Sequence, residues 1–431
     1  VDEFKGRRPA RRGAASIEVR LRGLRNPRAG THISGETSGS RGPRAPVPID
    51  VAWVRDWAVD ECLDADARGG LGWTHGRWAV PGGGSVAFIL LFAAVGTPPV
   101  RWFSPVDPAS PGLHPRYRWA ARLLHWGGRL AGVPLPWPEY VPFDAPGPIL
   151  DWMTGTLRTG AVPYLVAYTS SIVRLCQAAW DAGIDLTGAG ALAAGEPLTA
   201  ARLATIRRAG VAVAPIYAGI DTGVLGKGCL SPDAPDEIHL FHDLLAVIRP
   251  TLNDGSGGLP SRALLVSSLR ATAPLTLLNV SLGDEGTITE RRCGCPLERL
   301  GWATHLHTIR SFEKLTAGGV TFLDSDLIRT IEEVLPARFG GTAADYQLVE
   351  SEAAGGPPSL RLLVHPGVGP VDSPTVVEAF LSAIGGGSGA ERVMGMLWRD
   401  ARLLTVERRP PLTTPSGKIL HLHVDRPDGR A

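Results

Sequence analysis

An α/β fold is predicted for this chain of 431 residues, on three observations. Segments with helical spacing of apolar residues alternate with short runs of β-favouring residues. Gly (53) and Pro (37) are frequent, as in a protein with many turns between its elements. Near Ile309 the pattern changes to a compact series of helix, two strands, helix and strand. Interleaved helices and strands imply a core containing at least one mixed sheet.

The elements follow in chain order. Residues 1–30 form an Arg-rich stretch with no apolar segment after it, expected to be a disordered basic arm rather than a signal peptide. The apolar run Val86–Val95 is too short to cross a bilayer and predicts a buried helix or strand. Tyr117–Leu130 has helical spacing at Trp119, Leu123, Leu124 and Trp126, and Ser171–Ala182 repeats it at Ile172, Leu175, Cys176 and Ala179. Leu198–Gly210 begins at a Thr199 cap and stops at Gly210. Strands are expected over Val211–Tyr217, Ala263–Ser267 and Leu275–Val280. Past Ile309, the helix Asp326–Leu335, the strands Tyr346–Glu350 and Leu360–Val364, the helix Ser373–Ile384 and the strand Arg402–Glu407 make a domain of ordinary size. The expected division is 1–30, 31–309 and 310–431.

Composition narrows the function. Hydrophobic residues at 44% can fill a large core, and a net charge of +2 gives no general attraction to nucleic acid or to a membrane. Five cysteines are sparse and odd in number, which argues for a reducing, cytoplasmic setting. Cys62 and Cys176 lie in apolar helical contexts and are expected in the core.

Five short motifs carry chemistry. Ser34-Gly35-Glu36-Thr37-Ser38-Gly39-Ser40-Arg41-Gly42 is dense in small and hydroxyl residues, which can wrap polyphosphate oxygens, although no Gly-Lys-Ser/Thr ends it as in a Walker loop. By itself such a stretch favours a flexible surface linker over a phosphate loop. Gly195-Glu196-Pro197 stands between an apolar run and a helix. Tyr217 to Gly223 follows a strand and contains Ile220 and Asp221, Leu282 to Gly286 contains Asp284, and Pro415-Ser416-Gly417-Lys418 lies near the end.

In order and spacing this set resembles the adenylate-forming superfamily of acyl-CoA synthetases, aryl ligases and adenylation domains, and within it the phenylacetate–CoA ligase-like branch. The resemblance covers roughly residues 31–425. It implies a large, multi-sheet N-terminal domain, truncated at its start, and a small mobile α+β C-terminal domain. It implies ATP and Mg²⁺, an acyl-AMP intermediate with release of pyrophosphate, and a thiol acceptor on coenzyme A or a carrier protein. An aromatic acid is what the branch implies. Amide formation from the same adenylate, or nucleotide binding without turnover, are the alternatives. By this resemblance Ser34, Gly35, Thr37, Ser38 and Gly39 hold phosphate, and Gly195, Glu196 and Pro197 form the adenine-side loop. Tyr217 stacks near adenine, Asp221 stands where a Mg²⁺-binding Glu is usual, and Asp284 and Arg310 hold the ribose. Phe312 and Glu313 occupy the hinge, and Lys418 bridges acid and phosphate. The sequence departs from the family at Glu36, which puts a negative charge in the phosphate loop, at Ile220, which replaces a hydroxyl residue, and at Phe312, which disturbs the acidic hinge pair. His75, before the apolar run, is either a carboxylate-orienting residue or a structural histidine.

Cys229, His239, Cys293 and Cys295 supply three thiols and an imidazole, a donor set that suits closed tetrahedral Zn²⁺. The alternative is three free cysteines and a surface histidine. The branch includes members with a structural zinc on a similar set. His305 and His307 are expected to be structural, and Asp243 to support packing.

Overall fold

The computed structural model describes residues 3, 9–12, 14–36, 46–107, 115–250, 259–311, 316–317, 320–321, 324–351, 359–384, 404–414 and 417–425. Thr37, Ser38, Gly39, Phe312 and Glu313 lie outside them.

One large sheet of twelve strands dominates. From edge to edge its strands are Leu245–Ile248, Ala263–Ser268, Val280–Glu290, Thr304–Ser311, Ile238–Leu240, Gly223–Gly228, Ala212–Gly219, Gly190–Ala194, Pro163–Tyr168, Thr74–Trp78, Arg101–Ser104 and Pro138–Tyr140. The half from Ala212–Gly219 to Pro138–Tyr140 is parallel, and the other half is antiparallel. Each half has the sequence its connections require. Parallel neighbours need a crossover, and the helices Gly83–Val95, Pro115–Leu130, Gly147–Arg158, Thr169–Asp181 and Ala200–Arg208 supply it. The antiparallel half is joined by turns and loops.

The strand Thr74–Trp78 is followed by strands laid to one side of it, and the chain then returns to place Pro163–Tyr168 on its other side. That reversal makes the carboxyl ends of these two strands a switch point, the usual ligand position in such sheets. The helix Gly83–Val95 settles the two-way expectation for the apolar run. It is almost wholly apolar, so it packs inside, against the helix Val51–Ala67 and the sheet face carrying Tyr164, Val166 and Leu192. On the opposite face, Ile172, Leu175, Cys176 and Ala179 seat the helix Thr169–Asp181 in the main core, as their spacing predicts.

A second sheet of four strands, Leu404–Arg408, Ser359–Val364, Tyr346–Ser351 and Leu422–Asp425, has its own core with the helix Ser373–Ile384 and the helical run from Asp324 to Phe339. Within that run Thr330–Val334 widens into a π turn. Pro336 has no N–H to return to the Glu332 carbonyl, which accounts for the widening.

Three expectations need correction. Leu275–Val280 is not a strand: Leu275 forms an isolated bridge to Arg25, Asn279 takes a φ of 50°, and the strand begins only at Val280. Asp284 therefore lies within a strand rather than after one. Cys62 is exposed, because its position on the helix Val51–Ala67 faces away from the side that buries Trp53, Trp57 and Glu61. The basic arm is in part seated: Asn26 donates to the carbonyls of Ala271 (2.6 Å) and Ala273 (2.8 Å), and Thr276 donates to the carbonyl of Leu24. These long-range hydrogen bonds fix a stretch that composition alone reads as free chain.

No described helix is long and apolar enough to cross a membrane.

Candidate functional site

Four segments meet at the carboxyl ends of the parallel strands. After Gly190–Ala194 the chain turns at Gly195 with a φ of 73°. A Cβ there would fall 2.8 Å from the Tyr168 ring and 3.0 Å from Lys418 Cε, so only glycine lets the lysine approach. Glu196 then locks the approach. Its carboxylate accepts from the Ser170 amide (2.8 Å) and hydroxyl (2.9 Å), from Arg202 (3.1 Å) and from the amide of Ile419 (2.9 Å). Pro197 gives its carbonyl to Arg202.

Lys418 is carried on a tight turn. Its amide donates to Thr414 Oγ1, its carbonyl accepts from Thr414 N, and Gly417 takes a φ of 91°. The Lys418 ammonium lies 5.5 Å from the centre of the Tyr168 ring. Burial pushes its pKa down, against the opposing pull of Glu196 and Asp284.

The strand Ala212–Gly219 brings Tyr217, whose hydroxyl donates to Asp284 at 2.9 Å. Burial, reinforced by the charges of Asp284 and Asp221, raises the Tyr217 pKa well above its ordinary value, so the phenol stays protonated and a donor. Asp221 lies in the turn between Ala212–Gly219 and Gly223–Gly228. Its neighbour Ile220 packs against Gly35, where a Cβ would fall 2.9 Å from Ile220 Cγ1, and near Gly84. The start of the Ser34–Gly42 loop, the Asp221 turn and the first turn of the helix Gly83–Val95 thus share one corner. Ser34 is the second residue of the strand Ile33–Glu36.

Two expected site residues lie elsewhere. Arg310 pairs in register with Glu285, whereas Asp284 pairs with Ser311, so strand alternation puts Arg310 and Asp284 on opposite faces. The Arg310 guanidinium forms an ion pair with Asp236 at 2.9 Å. His75 is buried between Phe92 and Tyr164, and burial, with the nearby Lys227 charge, lowers its pKa to about 4, which keeps it neutral.

A second centre is built on the antiparallel half. One ligand atom from each of Cys229, His239, Cys293 and Cys295 lies within 4.8 Å of the others. His239 Nε2 is 3.2 Å from Cys295 Sγ and 3.7 Å from Cys293 Sγ, while its Nδ1 is 2.5 Å from the Trp302 carbonyl. A proton on Nδ1 satisfies that carbonyl and leaves the Nε2 lone pair facing the thiols. Burial lowers the His239 pKa to about 4, so it is the neutral imidazole a metal requires. The donor set and its spacing fit a tetrahedral metal.

Sequence reasoning missed the layer beneath. His305 pairs in register with His239 and holds Glu237 at 2.6 Å, and Arg291 holds the same Glu237 oxygen at 2.5 Å. The alternating His305-Leu306-His307 was the available signal, but nothing local distinguishes its buried member. A buried network of Lys227 with Glu61 (2.5 Å) and Asp64 (3.1 Å), completed by Arg68 on Asp64 (2.8 Å), was also missed.

No family model matches the sequence, and no curated protein matches it. Solved structures do. A 2-hydroxyisobutyryl-CoA ligase in the postadenylation state with R3-HIB-AMP aligns with a TM-score of 0.52 at 13% identity, over 91% of this chain and 73% of that one. The same ligase with 2-HIB-AMP gives the same values. The amide bond synthetase McbA from Marinactinospora thermotolerans aligns with a TM-score of 0.48 at 15% identity, over 96% of this chain and 70% of that one. At such identities the likeness concerns the fold. With its large mixed sheet and small second sheet, the chain has the fold of the adenylate-forming enzymes.

Proposed function

We propose that this chain activates a carboxylic acid with Mg·ATP. The acid's oxygen attacks the α-phosphorus, the bond to the β-phosphate oxygen breaks, and acyl-AMP and pyrophosphate result. A thiol of coenzyme A or a carrier protein then attacks the acyl carbon, and AMP leaves. The observation that carries this reading is the arrival of Lys418 at Gly195 and within electrostatic reach of Asp284.

Two anions must meet for adenylation, so cations must offset their repulsion. Lys418 is the fixed one, held by Glu196 through the neighbouring Ile419 amide. Asp221, at the corner reached by Gly35, is the group for Mg²⁺. Gly195 to Pro197 and Tyr217 border the adenine, Asp284 takes the ribose hydroxyls, and Ser34 to Gly39 serve the phosphates. Residues from about 310 onward form the lid that carries Lys418, and its swing would separate adenylation from thiol transfer.

The Cys229–His239–Cys293–Cys295 set holds a zinc ion with a structural role, since its four donors close the coordination shell. The phenylacetate–CoA ligase-like assignment rests on this set together with the order of the motifs.

Pyrophosphate release from ATP across a panel of acids tests the first half-reaction. Adding coenzyme A or an amine identifies the acceptor. Absence of release with every acid, in a protein that binds ATP, would end the reading.

A further inference from the structure

Arg77 has no role in the site so far. It is the penultimate residue of the strand Thr74–Trp78, near the carboxyl end where the parallel order reverses. Only 6% of it is exposed, and among the described residues its Nε and Nη1 have no hydrogen-bond partner. No carboxylate among the described residues forms an ion pair with it. The guanidinium lies 4.8 Å from the centre of the Phe88 ring, on the face that carries Val166 and, one step further along the same strand, Tyr168. Tyr168 is the residue the Lys418 ammonium overlies.

Burial lowers the Arg77 pKa to about 10, with a smaller opposing contribution from Tyr168. At neutral pH it is still charged. A buried, unpaired charge is costly, and an apolar residue of similar volume would serve packing better. Such a group is expected where a ligand supplies the missing acceptor.

We infer that Arg77 receives a second anionic group on the acid, so that the substrate is a dicarboxylic acid lying between Lys418 and Arg77. The inference rests on the adenylation reading for the other end of that acid.

The test is calorimetric binding to the full chain without nucleotide, using diacids from succinate to suberate and terephthalate. Each is set against its length-matched monoacid, with hexanoate for adipate and 4-methylbenzoate for terephthalate. At least one diacid is expected to bind ten-fold or more tighter than its partner, and Arg77→Met is expected to erase that preference. The same variant is expected to raise the melting temperature of the free protein, since it removes an unpaired buried charge. No diacid preference in the wild type, or one that survives in Arg77→Met, overturns the inference. A fall in the melting temperature of Arg77→Met without change in preference assigns Arg77 to structure and also overturns it. Pyrophosphate release is read separately. Diacid binding through Arg77 without pyrophosphate release removes the adenylation reading alone, and release with monoacids only, unaffected by Arg77→Met, removes this inference alone.

Discussion

Lys418 shows how a single residue is placed by others. Its ammonium is desolvated and kept charged by Glu196 and Asp284, while Glu196 fixes its backbone through Ile419. Lys418→Ala should leave ATP binding nearly intact and cut pyrophosphate release by about 10²-fold or more, the usual effect of losing a preorganised charge at a reacting phosphate. Wild-type turnover in this variant would refute the role. Asp60 gives a prediction about stability. Burial and the neighbouring Asp243 raise its pKa from 3.8 to about 8. Between those values the folded protein keeps a proton that the unfolded chain has lost, so stability falls as pH rises from about 4 to about 8. Asp60→Asn carries no such proton and should flatten that decline in thermal melts. An unchanged slope would show that Asp60 is not its source.

At the scale of elements, the π turn Thr330–Val334 presents Glu332 to the first turn of the helix Ala200–Arg208. Glu332 meets Arg202 at 2.7 Å and His421 at 2.6 Å, and it accepts from the Thr199 hydroxyl. This buried group ties the small sheet to the large one, next to the Lys418 turn. Burial alone would raise the Glu332 pKa, but Arg202 and His421 prevail and lower it from 4.5 to about 2. A lowered carboxyl pKa contributes stability that is present above about 4.5 and lost as pH falls toward 2. Glu332→Gln should therefore lower stability at neutral pH by about 3 kcal/mol, because Arg202 is left buried and undercompensated. It should also weaken the acid dependence of unfolding. An acid limb identical to wild type would place that dependence elsewhere. No local pattern points to this contact. Its helix was legible from apolar spacing, but the π turn follows from Pro336, and its partner stands 133 residues away.

At the scale of the whole molecule, the Cys229–His239–Cys293–Cys295 cluster joins the strand Ile238–Leu240 to the segment between Val280–Glu290 and Thr304–Ser311. Purified protein should contain stoichiometric zinc, and a chelator or Cys293→Ser should lower its melting temperature; elemental analysis without zinc would remove the assignment. The four donors were readable as residue types, since thiols and imidazole declare their chemistry locally. Glu237 and His305 beneath them were not, because burial is decided by pairing. The sequence alone determined the α/β class, the helices at Pro115–Leu130, Thr169–Asp181 and Ser373–Ile384, and the separate motifs, for periodicity and side-chain chemistry are properties of short stretches. Tertiary structure decided which motifs meet. It turned Arg310 to the face opposite Asp284, brought Lys418 against Gly195, and left Arg77 Nε and Nη1 buried without a hydrogen-bond partner among the described residues. Strand register fixes which face a side chain takes, and register is set between segments far apart in the chain, so no local pattern encodes it.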